Sequence, residues 1–270
     1  MRLTIATWKI NSVRLRINLV ARFAEEWAPD VICLQETKCR DSEFPLSSFH
    51  KLGYPHVAIN GQKGYHGVAI ASKLPLTEID RRGFCEKGDA RHLAASVKPD
   101  AGRAPVRVHN FYVPAGGDEP DPLINPKFAH KLAFLDEMAG WMGPETLGTG
   151  HSVLVGDLNI APLETDVWSH KALLSVVSHT PIEVEKLGQV QAAGGWVDAM
   201  RRYVPAEEKL YTWWSYRARD WALSNKGRRL DHVWVSKSLA PRLGGMQVAA
   251  ESRGWARPSG HAPVLVHLDF

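Results

Sequence analysis

Acidic, amide and imidazole side chains follow several strand-like runs of this 270-residue sequence. In VLVGDLNIAP, Asp157 and Asn159 alternate with apolar residues at the end of a strand, so both side chains can face one side. A carboxylate beside an amide can bind a hard cation, a water molecule or a phosphate oxygen. The alternative for this motif is an Asp/Asn turn whose side chains cap their own backbone.

Two further carboxylates have candidate partners elsewhere in the chain. Glu36 follows the apolar run DVICLQ, and its oxygens suit Mg²⁺, which often uses only one or two protein carboxylates. The alternative is a surface glutamate paired with Lys38. Asp231 lies in the apolar strand RLDHVWVS, where an unpaired charge is costly, and His261 can pair with it to give a better base or phosphate ligand. The alternative partner is Arg229.

The segment YTWWSYRARDW interleaves aromatic rings with arginines. This composition suits nucleic acid, because rings stack on bases or fill a sugar pocket and arginines meet phosphates. The alternative is an ordinary aromatic core. We expect Trp214 and Tyr216 to be mainly structural and at least one of Trp213 and Trp221 to be exposed. The arginines of the segment are Arg217 and Arg219.

The elements that position these side chains predict one layered α/β domain over residues 1–270. Helical spacing of apolar residues predicts helices in RLRINLVARFAEEW, KFAHKLAFLDEMAGWM and IEVEKLGQVQAAGG. Because strands and helices alternate without a visible linker, we expect the site where strands open into loops. The strand candidates are the β-branched runs RLTIATW, DVICLQ, GVAIAS, HLAASV, VRVHNFYV, SVLVGDL, RLDHVWVS and PVLVHL.

Composition narrows the class of protein. Three scattered cysteines argue against a disulfide framework and fit a reducing compartment. We see no secretory leader and no apolar run of membrane-spanning length, and we expect a cytoplasmic, nucleoid-associated protein that is not secreted and binds no membrane. The net charge of +4 weakly favours a polyanionic partner. Acid groups, a histidine and a basic, aromatic segment together suggest metal-assisted hydrolysis of a phosphodiester.

The ordered series INSVR, LQETK, GYHGVAI, YVP, GDLNIAP, YTWWSYR, GRRLDHVWVS and SGHAPV resembles the exonuclease III family of apurinic/apyrimidinic (AP) endonucleases. The resemblance runs from residue 3 to the end of the chain. It implies a four-layer α/β sandwich of the deoxyribonuclease-I-like type, with two mainly antiparallel sheets face to face and helices outside. It also implies cleavage of double-stranded DNA 5′ to abasic sites and 3′-phosphodiesterase, 3′-phosphatase or 3′→5′ exonuclease activity at blocked 3′ ends. The implied cofactor is Mg²⁺, with Mn²⁺ as a substitute.

The resemblance assigns roles to the metal and phosphate groups. Glu36 matches the main metal ligand, and Asn11 matches a member of the metal shell. Asp157 would activate the attacking water or handle the leaving oxygen. Asn159 would orient that water and the phosphate, and Tyr112 would bond the scissile phosphate.

The remaining implied roles concern the transition state and the DNA. His261, steadied by Asp231, would stabilise charge on the phosphorane-like transition state. Trp213 and Leu230 would line the abasic-sugar pocket. The neighbouring basic run favours DNA over RNA or a phosphoinositide as substrate, and nothing in the sequence demands more than a monomer. The basic run consists of Lys226, Arg228 and Arg229, and we expect Arg228 and Arg229 to contact DNA phosphates.

Two positions depart from the family pattern. Lys9 stands where the family usually has asparagine, and Gly260 stands where it has aspartate. If both positions face the metal, the added positive charge predicts weaker Mg²⁺ binding. We hypothesise that the Lys9 ammonium partly replaces the metal and holds the scissile phosphate. The alternatives are a Lys9 that points to solvent while water fills the gap at Gly260, and a relative that binds abasic or nicked duplex but cuts poorly.

Overall fold

The structure is a computed structural model that describes residues 1–99, 102–143, 150–218 and 220–270. Arg219 of the aromatic segment lies outside the described residues. Within these ranges the strands are β1 (Arg2–Lys9), β2 (Val31–Gln35), β3 (His56–Asn60), β4 (Val68–Ser72), β5 (Leu76–Asp80), β6 (His92–Val97), β7 (Val106–Tyr112), β8 (His151–Asp157), β9 (Val197–Asp198), β10 (Trp213–Trp214), β11 (Gly227–Arg228), β12 (Asp231–Val235), β13 (Leu243–Val248) and β14 (Val264–Asp269).

Some of the helices begin at residues whose side chains accept hydrogen bonds from free N–H groups. At the start of the helix Pro126–Trp141, the side chain of Asn125 accepts a hydrogen bond from the backbone N–H of Lys127. At the start of the helix Pro181–Ala193, Thr180 and Glu183 form a capping box. The helices in the described ranges are α1 (Ile17–Trp27), α2 (Leu46–Lys51), α3 (Pro126–Trp141), α4 (His170–Leu173), α5 (Pro181–Ala193) and α6 (Trp221–Ser224).

The strands form two six-stranded sheets, in the orders β13-β14-β1-β2-β4-β3 and β5-β6-β7-β8-β12-β9, and β10 pairs with β11. Each large sheet contains one parallel pair, β1–β2 in the first and β7–β8 in the second. The other neighbours are antiparallel, so the sheets are mixed but mainly antiparallel. Parallel neighbours end at the same edge of a sheet, which brings the carboxyl ends of four central strands to one end of the molecule.

The two sheets pack face to face over a continuous apolar core. Val31, Val108, Val155 and Val264 are fully buried in this core. A second cluster packs α1 and α2 on the outer face of the first sheet, and a third packs α3 and α5 on the outer face of the second. These four layers confirm the fold class expected from the resemblance.

The eight predicted strands are all present, and each lies in the interior of one of the two large sheets. The four edge strands β3, β5, β9 and β13 and the short pair β10–β11 were not predicted. Of the helix-spaced apolar residues, Leu15 precedes α1 and is exposed, which corrects its expected place on the buried face. No helix in the described ranges combines the length and the apolar character needed to span a bilayer.

Candidate active site

The candidate residues lie at the ends of strands from both sheets, at the same end of the molecule. Lys9 ends β1 and Glu36 directly follows β2 in the first sheet, whereas Tyr112 ends β7 and Asp157 ends β8 in the second. Asp231 begins β12 and stands opposite Asp157 in the antiparallel register. The structure therefore brings together, from both sheets, groups that are far apart in the chain.

Several residues in these loops have left-handed backbone, with φ of 51° at Asn11, 56° at Glu36, 55° at Lys38 and 55° at Asn159. Residues other than glycine adopt this conformation at a cost that surrounding contacts must offset. Backbone hydrogen bonds hold the loop after β2: Ser12 donates to the carbonyl of Glu36, and Lys38 donates to that of His66. Such strain collects at functional sites, which supports a functional interpretation of this edge.

Lys9 points into the site. Its Nζ lies 3.0 Å from Asp157 Oδ2 and 3.3 Å from Glu36 Oε2, and its side chain is 13% exposed. It also lies 5.0 Å from the centroid of the Tyr112 ring. The alternative in which Lys9 extends into solvent is therefore wrong. One ammonium bridges two carboxylates that come from different sheets.

Lys38 is a second cation at the same carboxylate. Its Nζ lies 3.0 Å from Glu36 Oε1 and donates to Asn11 Oδ1 at 2.7 Å. The surface pairing of Glu36 with Lys38 is thus present together with the contact between Glu36 and Lys9. Burial raises the pKa of Glu36, but the two lysines outweigh burial and hold the pKa below its ordinary value.

Asp157 and Asn159 form one hydrogen-bonded unit. The backbone N–H of Asn159 donates to Asp157 Oδ1 at 3.0 Å, and its Nδ2 donates to Asp157 Oδ2 at 3.1 Å and to the carbonyl of Val113 at 2.8 Å. The two side chains therefore face the same side, as the alternating motif predicted. Asp157 also accepts a hydrogen bond from the backbone N–H of Asn159 in its own loop, as the turn alternative predicted. Burial raises the pKa of Asp157, and the charge of Lys9 opposes that rise.

Asp231 and His261 form the predicted pair. His261 Nδ1 lies 2.7 Å from Asp231 Oδ2, and the hydroxyl of Thr212 donates to the same oxygen at 2.6 Å. Both partners are buried, and burial lowers the pKa of His261 and raises that of Asp231. The imidazole is therefore neutral near pH 7. With Nδ1–H on Asp231, its Nε2 faces Asp157 Oδ2 at 3.9 Å and can accept a proton.

Tyr112 keeps its phenol proton. The side chain is 7% exposed, and burial together with the carboxylates of Glu36 and Asp157 raises the pKa of Tyr112 to about 12. Lys9 and Arg91 oppose the rise, and the Arg91 guanidinium lies 5.0 Å from the ring centroid. The hydroxyl is thus a donor at neutral pH, as a phosphate contact requires.

A cavity of about 570 Å³ opens beside these groups. Trp213 and Leu230 line it, as the resemblance implies, and so do Asn159 and His261. Its remaining wall contains four cations and Trp168, together with Asp118, two valines and several small residues. The Arg228 guanidinium lies 5.3 Å from the Trp213 ring, and Lys226 Nζ lies 4.7 Å from the Trp168 ring. The cationic lining residues are Lys9, Arg217, Lys226 and Arg228.

Gly260 does not leave a water-sized gap. A Cβ at this position would lie 3.1 Å from Trp213 Nε1 and 3.3 Å from Tyr216 Cε2, so both rings pack closely against the glycine. The expected space for water is therefore occupied by aromatic rings. An aspartate here would require these rings to shift by a few tenths of an ångström.

Three sequence-based expectations about this region are wrong. Arg229 is only 1% exposed, and its guanidinium binds the carboxylates of Asp166 and Asp198, so it supports the strand start and does not face DNA.

The other two expectations concern the aromatic segment. Tyr216 is exposed, although we expected it to be structural, and its hydroxyl donates to the carbonyl of Pro258. Trp213 and Trp221 are both half-buried, although we expected at least one of them to be exposed. Trp214 is buried as expected.

Sequence reasoning missed three groups that support the site. Thr212 orients Asp231, and Trp168 stands on the cavity wall with Lys226. Lys131 and Glu183 form a fully buried ion pair, in which Lys131 also donates to the carbonyl of Asn159 at 2.8 Å. One indication of this pair is visible in the sequence, namely that Lys131 lies on the apolar face of a predicted helix. A buried lysine needs a counter-charge, and the sequence alone did not identify Glu183 as that partner.

The donor atoms at this edge fit a hard divalent cation. Glu36 and Asn11 offer carboxylate and amide oxygens, which are ligands that Mg²⁺ accepts. Asp157, Asp231 and His261 also offer atoms within 4.8 Å of one another, but Asp231 and His261 are already paired with each other. Glu36 and Asn11 are the residues that would hold a metal, and lysine ammoniums contact both side chains.

Comparisons with known proteins give consistent similarities. The chain matches the model of the Endonuclease/Exonuclease/phosphatase family over residues 6–259. It is 30% identical to exodeoxyribonuclease III of Haemophilus influenzae, across 96% of this chain and 97% of that protein. An AP endonuclease from Archaeoglobus fulgidus has a TM-score of 0.90 at 31% identity, and a Neisseria 3′ phosphatase bound to a product DNA hairpin has 0.89 at 31%. Each structural alignment covers 99% of this chain and 100% of the other.

Proposed function

Because this chain belongs to the endonuclease/exonuclease/phosphatase family, and within it to the exonuclease III group of AP endonucleases, we propose that it is a DNA repair nuclease that cuts double-stranded DNA 5′ to abasic sites and clears blocked 3′ ends. The observation that carries this proposal is the meeting of Asp157 with the Asp231–His261 pair beside the cationic cavity. We further propose that residues 1–270 act as one catalytic domain and as a monomer.

The chain's own groups support hydrolysis of a phosphodiester. Water attacks phosphorus and the bond between phosphorus and the 3′ oxygen breaks. Asp157 accepts the proton of the attacking water while solvent protonates the 3′ oxygen, or, as the alternative role, it donates a proton to the 3′ oxygen while solvent takes the proton of the water. Both N–H groups of the Asn159 amide are engaged, so its oxygen is the atom left to accept a hydrogen bond from the water. The Tyr112 hydroxyl donates to a non-bridging phosphate oxygen.

His261 acts on the charge that develops in the transition state. Its neutral ring lines the cavity, and the bond from Nδ1 to Asp231 fixes which nitrogen faces the reaction. A proton taken up at Nε2 would be stabilised by Asp231 and would offset the charge on the phosphorane oxygens. Asp231 is thus a positioning residue that works through His261.

The family depends on a divalent metal, and we propose Mg²⁺ as the ion, with Mn²⁺ able to replace it. Glu36 and Asn11 would hold it. When bound, such an ion acts as a Lewis acid toward a phosphate oxygen and neutralises charge in the transition state.

DNA fits the surface around the cavity. Lys226 and Arg217 are exposed cations at its rim, and Trp168 and Trp213 offer ring faces to a base or sugar. A related Neisseria phosphatase of this fold is bound to a DNA hairpin product. These features favour a DNA duplex with an abasic site or a blocked 3′ end as the substrate of this chain.

The test is incubation with a labelled duplex that carries one abasic site, in Mg²⁺, Mn²⁺ or EDTA, followed by mapping of the cut. We expect a single incision 5′ to the abasic site, with a 3′-hydroxyl on the upstream fragment. A matched duplex with a 3′-phosphate tests the end-processing activity. The Asp157→Asn variant is the control, and it should lose both reactions while it still binds the duplex.

Two outcomes would overturn the proposal. Cleavage of RNA or release of phosphate from a phosphoinositide, with intact abasic duplex, would assign another phosphodiester. Binding to the abasic duplex without incision under any metal would support the alternative of a DNA-binding relative that cuts poorly. The two lysines at Glu36 are the observation that motivates this second possibility.

A further inference from the structure

We propose that the ammonium of Lys9 is the resident cation of this site, and that a divalent ion must compete with it for Glu36. The inference rests on the proposed function in one respect, namely that this edge of the sheets binds a scissile phosphate. It goes beyond that function because it replaces an exchangeable ion with a cation supplied by the chain.

The position of Lys9 supports this assignment first. Its Nζ lies between Glu36 Oε2 at 3.3 Å and Asp157 Oδ2 at 3.0 Å, so one cation joins carboxylates of the two sheets. The ammonium therefore occupies the position between the two carboxylates that a bridging cation would take.

The second support is that the oxygens available to a metal are already engaged. Lys9 contacts one oxygen of Glu36, and Lys38 contacts the other. Lys38 also donates to the side-chain oxygen of Asn11. A divalent ion at Glu36 would therefore share each oxygen with an ammonium and be repelled by its like charge.

Charge balance gives the third support. The carboxylates of Glu36 and Asp157 are matched by the ammoniums of Lys9 and Lys38. A divalent ion is attracted to uncompensated negative charge, and a matched set attracts it much less than two free carboxylates would. Metal binding should become strong only when one lysine is removed.

The place of Lys9 in the cavity wall indicates how it would act without a bound metal. Lys9 lines the same cavity as Asn159 and His261, so a phosphate placed there meets the ammonium directly. Lysine is a compact charge that binds phosphate oxygens well. The metal-free protein should thus hold a phosphate through Lys9, and DNA binding should not require a divalent ion.

The experiment measures Mn²⁺ binding to the full chain by calorimetry and by the electron paramagnetic resonance signal of free Mn²⁺. We compare the wild type with Lys9→Asn and Lys9→Met, and we use Lys51→Met as a matched control because Lys51 is an exposed lysine in α2. We expect the Lys9 variants to bind Mn²⁺ tighter by about tenfold or more, and the control to match the wild type. Equal Mn²⁺ affinity in the wild type and both Lys9 variants would overturn the inference.

A second measurement needs no variant, in case loss of Lys9 leaves Asp157 too poorly paired for folding. In wild-type protein labelled with ¹⁵N at lysine Nζ, the Lys9 ammonium should give a protected signal that changes as Mg²⁺ is added. A site that saturates with Mg²⁺ while this signal stays constant would also overturn the inference. Inorganic phosphate in EDTA should perturb the same signal.

The outcomes separate this inference from the proposed function. If no variant cuts any DNA but the Lys9 variants bind Mn²⁺ more tightly, the proposed function fails and the resident cation stands. If the wild type cuts abasic duplex and its Mn²⁺ affinity is unaffected by Lys9, the function stands and the resident cation fails.

Discussion

At the scale of single residues, Asp231 shows how contacts determine a role. It is fully buried at the start of β12, where Thr212 and His261 both bond the same carboxylate oxygen. It is not among the residues that line the cavity, and its contact with the lining runs through the imidazole of His261. The contact also explains why a carboxylate is tolerated in a strand that is otherwise apolar.

We predict that Asp231→Ala lowers kcat by about 100-fold and leaves the affinity for abasic duplex nearly unchanged. The alanine methyl accepts no hydrogen bond, so the Nδ1–H of His261 loses its partner. Single-turnover kinetics and ¹⁵N spectra of the imidazole measure both effects. A variant that keeps the wild-type tautomer but loses activity would contradict the positioning role.

Two neighbouring arginines should behave differently. We predict that Arg228→Met weakens DNA binding and reduces the slope of log affinity against log salt by about 1, because Arg228 lines the cavity. Arg229→Met should instead lower the free energy of unfolding by about 3–5 kcal/mol, since it leaves Asp198 without its arginine and Asp166 with Arg201 as its remaining ion-pair partner. Fluorescence anisotropy across a KCl series and urea unfolding separate the two. A salt slope changed by Arg229→Met alone would reverse the assignment.

At the scale of elements, the parallel pairs β1–β2 and β7–β8 matter most. Each pair brings two strand ends to the same edge, and Tyr112 and Asp157 are direct partners in the β7–β8 register. Gly156 sits one residue before Asp157 with φ of 140°, and a Cβ there would lie 1.9 Å from the carbonyl oxygen of Phe111. The glycine therefore allows the close approach of β7 and β8 that sets the spacing of the site.

We predict that Gly156→Ala lowers the free energy of unfolding by about 2 kcal/mol or more and reduces activity, because the clash is with backbone and cannot be relieved by a rotamer change. Gly188→Ala is the matched control. Gly188 lies within α5, and a Cβ added there would meet no neighbouring side chain within 4 Å, so alanine should stabilise by about 0.5–1 kcal/mol. Thermal and urea unfolding measure both. Wild-type stability in Gly156→Ala would show that the strands can separate at little cost.

At the scale of the whole molecule, buried histidines tie stability to pH. His92 and His109 stack in the outer core of the second sheet, with ring centroids 5.6 Å apart. Burial lowers the pKa of His109 to about 3 and that of His92 well below its ordinary value. Both rings are therefore neutral in the folded protein at neutral pH, whereas the unfolded chain takes up protons below about pH 6.5.

We predict that stability falls as pH drops from about 6.5 toward 3, because the unfolded state then binds more protons than the folded state. Between pH 7 and pH 5, His109 alone should account for about 2 kcal/mol of the loss. In urea unfolding, the free energy of unfolding of His109→Phe should fall by about 2 kcal/mol less than that of the wild type between pH 7 and pH 5. His50→Gln, at an exposed position in α2, is the control and should keep the wild-type dependence.

Much of this architecture was predictable from the sequence because burial on both faces leaves a strong pattern. The eight predicted strands are the eight interior strands of the two sheets, such as β2 and β12, whose residues are all buried. Edge strands such as β5 face solvent along most of their length and carry no such run. Strand ends also indicated the candidate residues, since polar groups directly after apolar runs are visible without coordinates.

Only the tertiary structure decided which side chains meet. The sequence could not show whether Lys9 faces solvent or bridges Glu36 and Asp157, because that depends on how the ends of two separate sheets align. Nor could it separate Arg228 from Arg229, since adjacent residues point to opposite sides and only the packed neighbours show which side is the cavity. The residue types along the chain determined which chemical groups are available. Long-range packing determined which of those groups lie close enough to form ion pairs and hydrogen bonds.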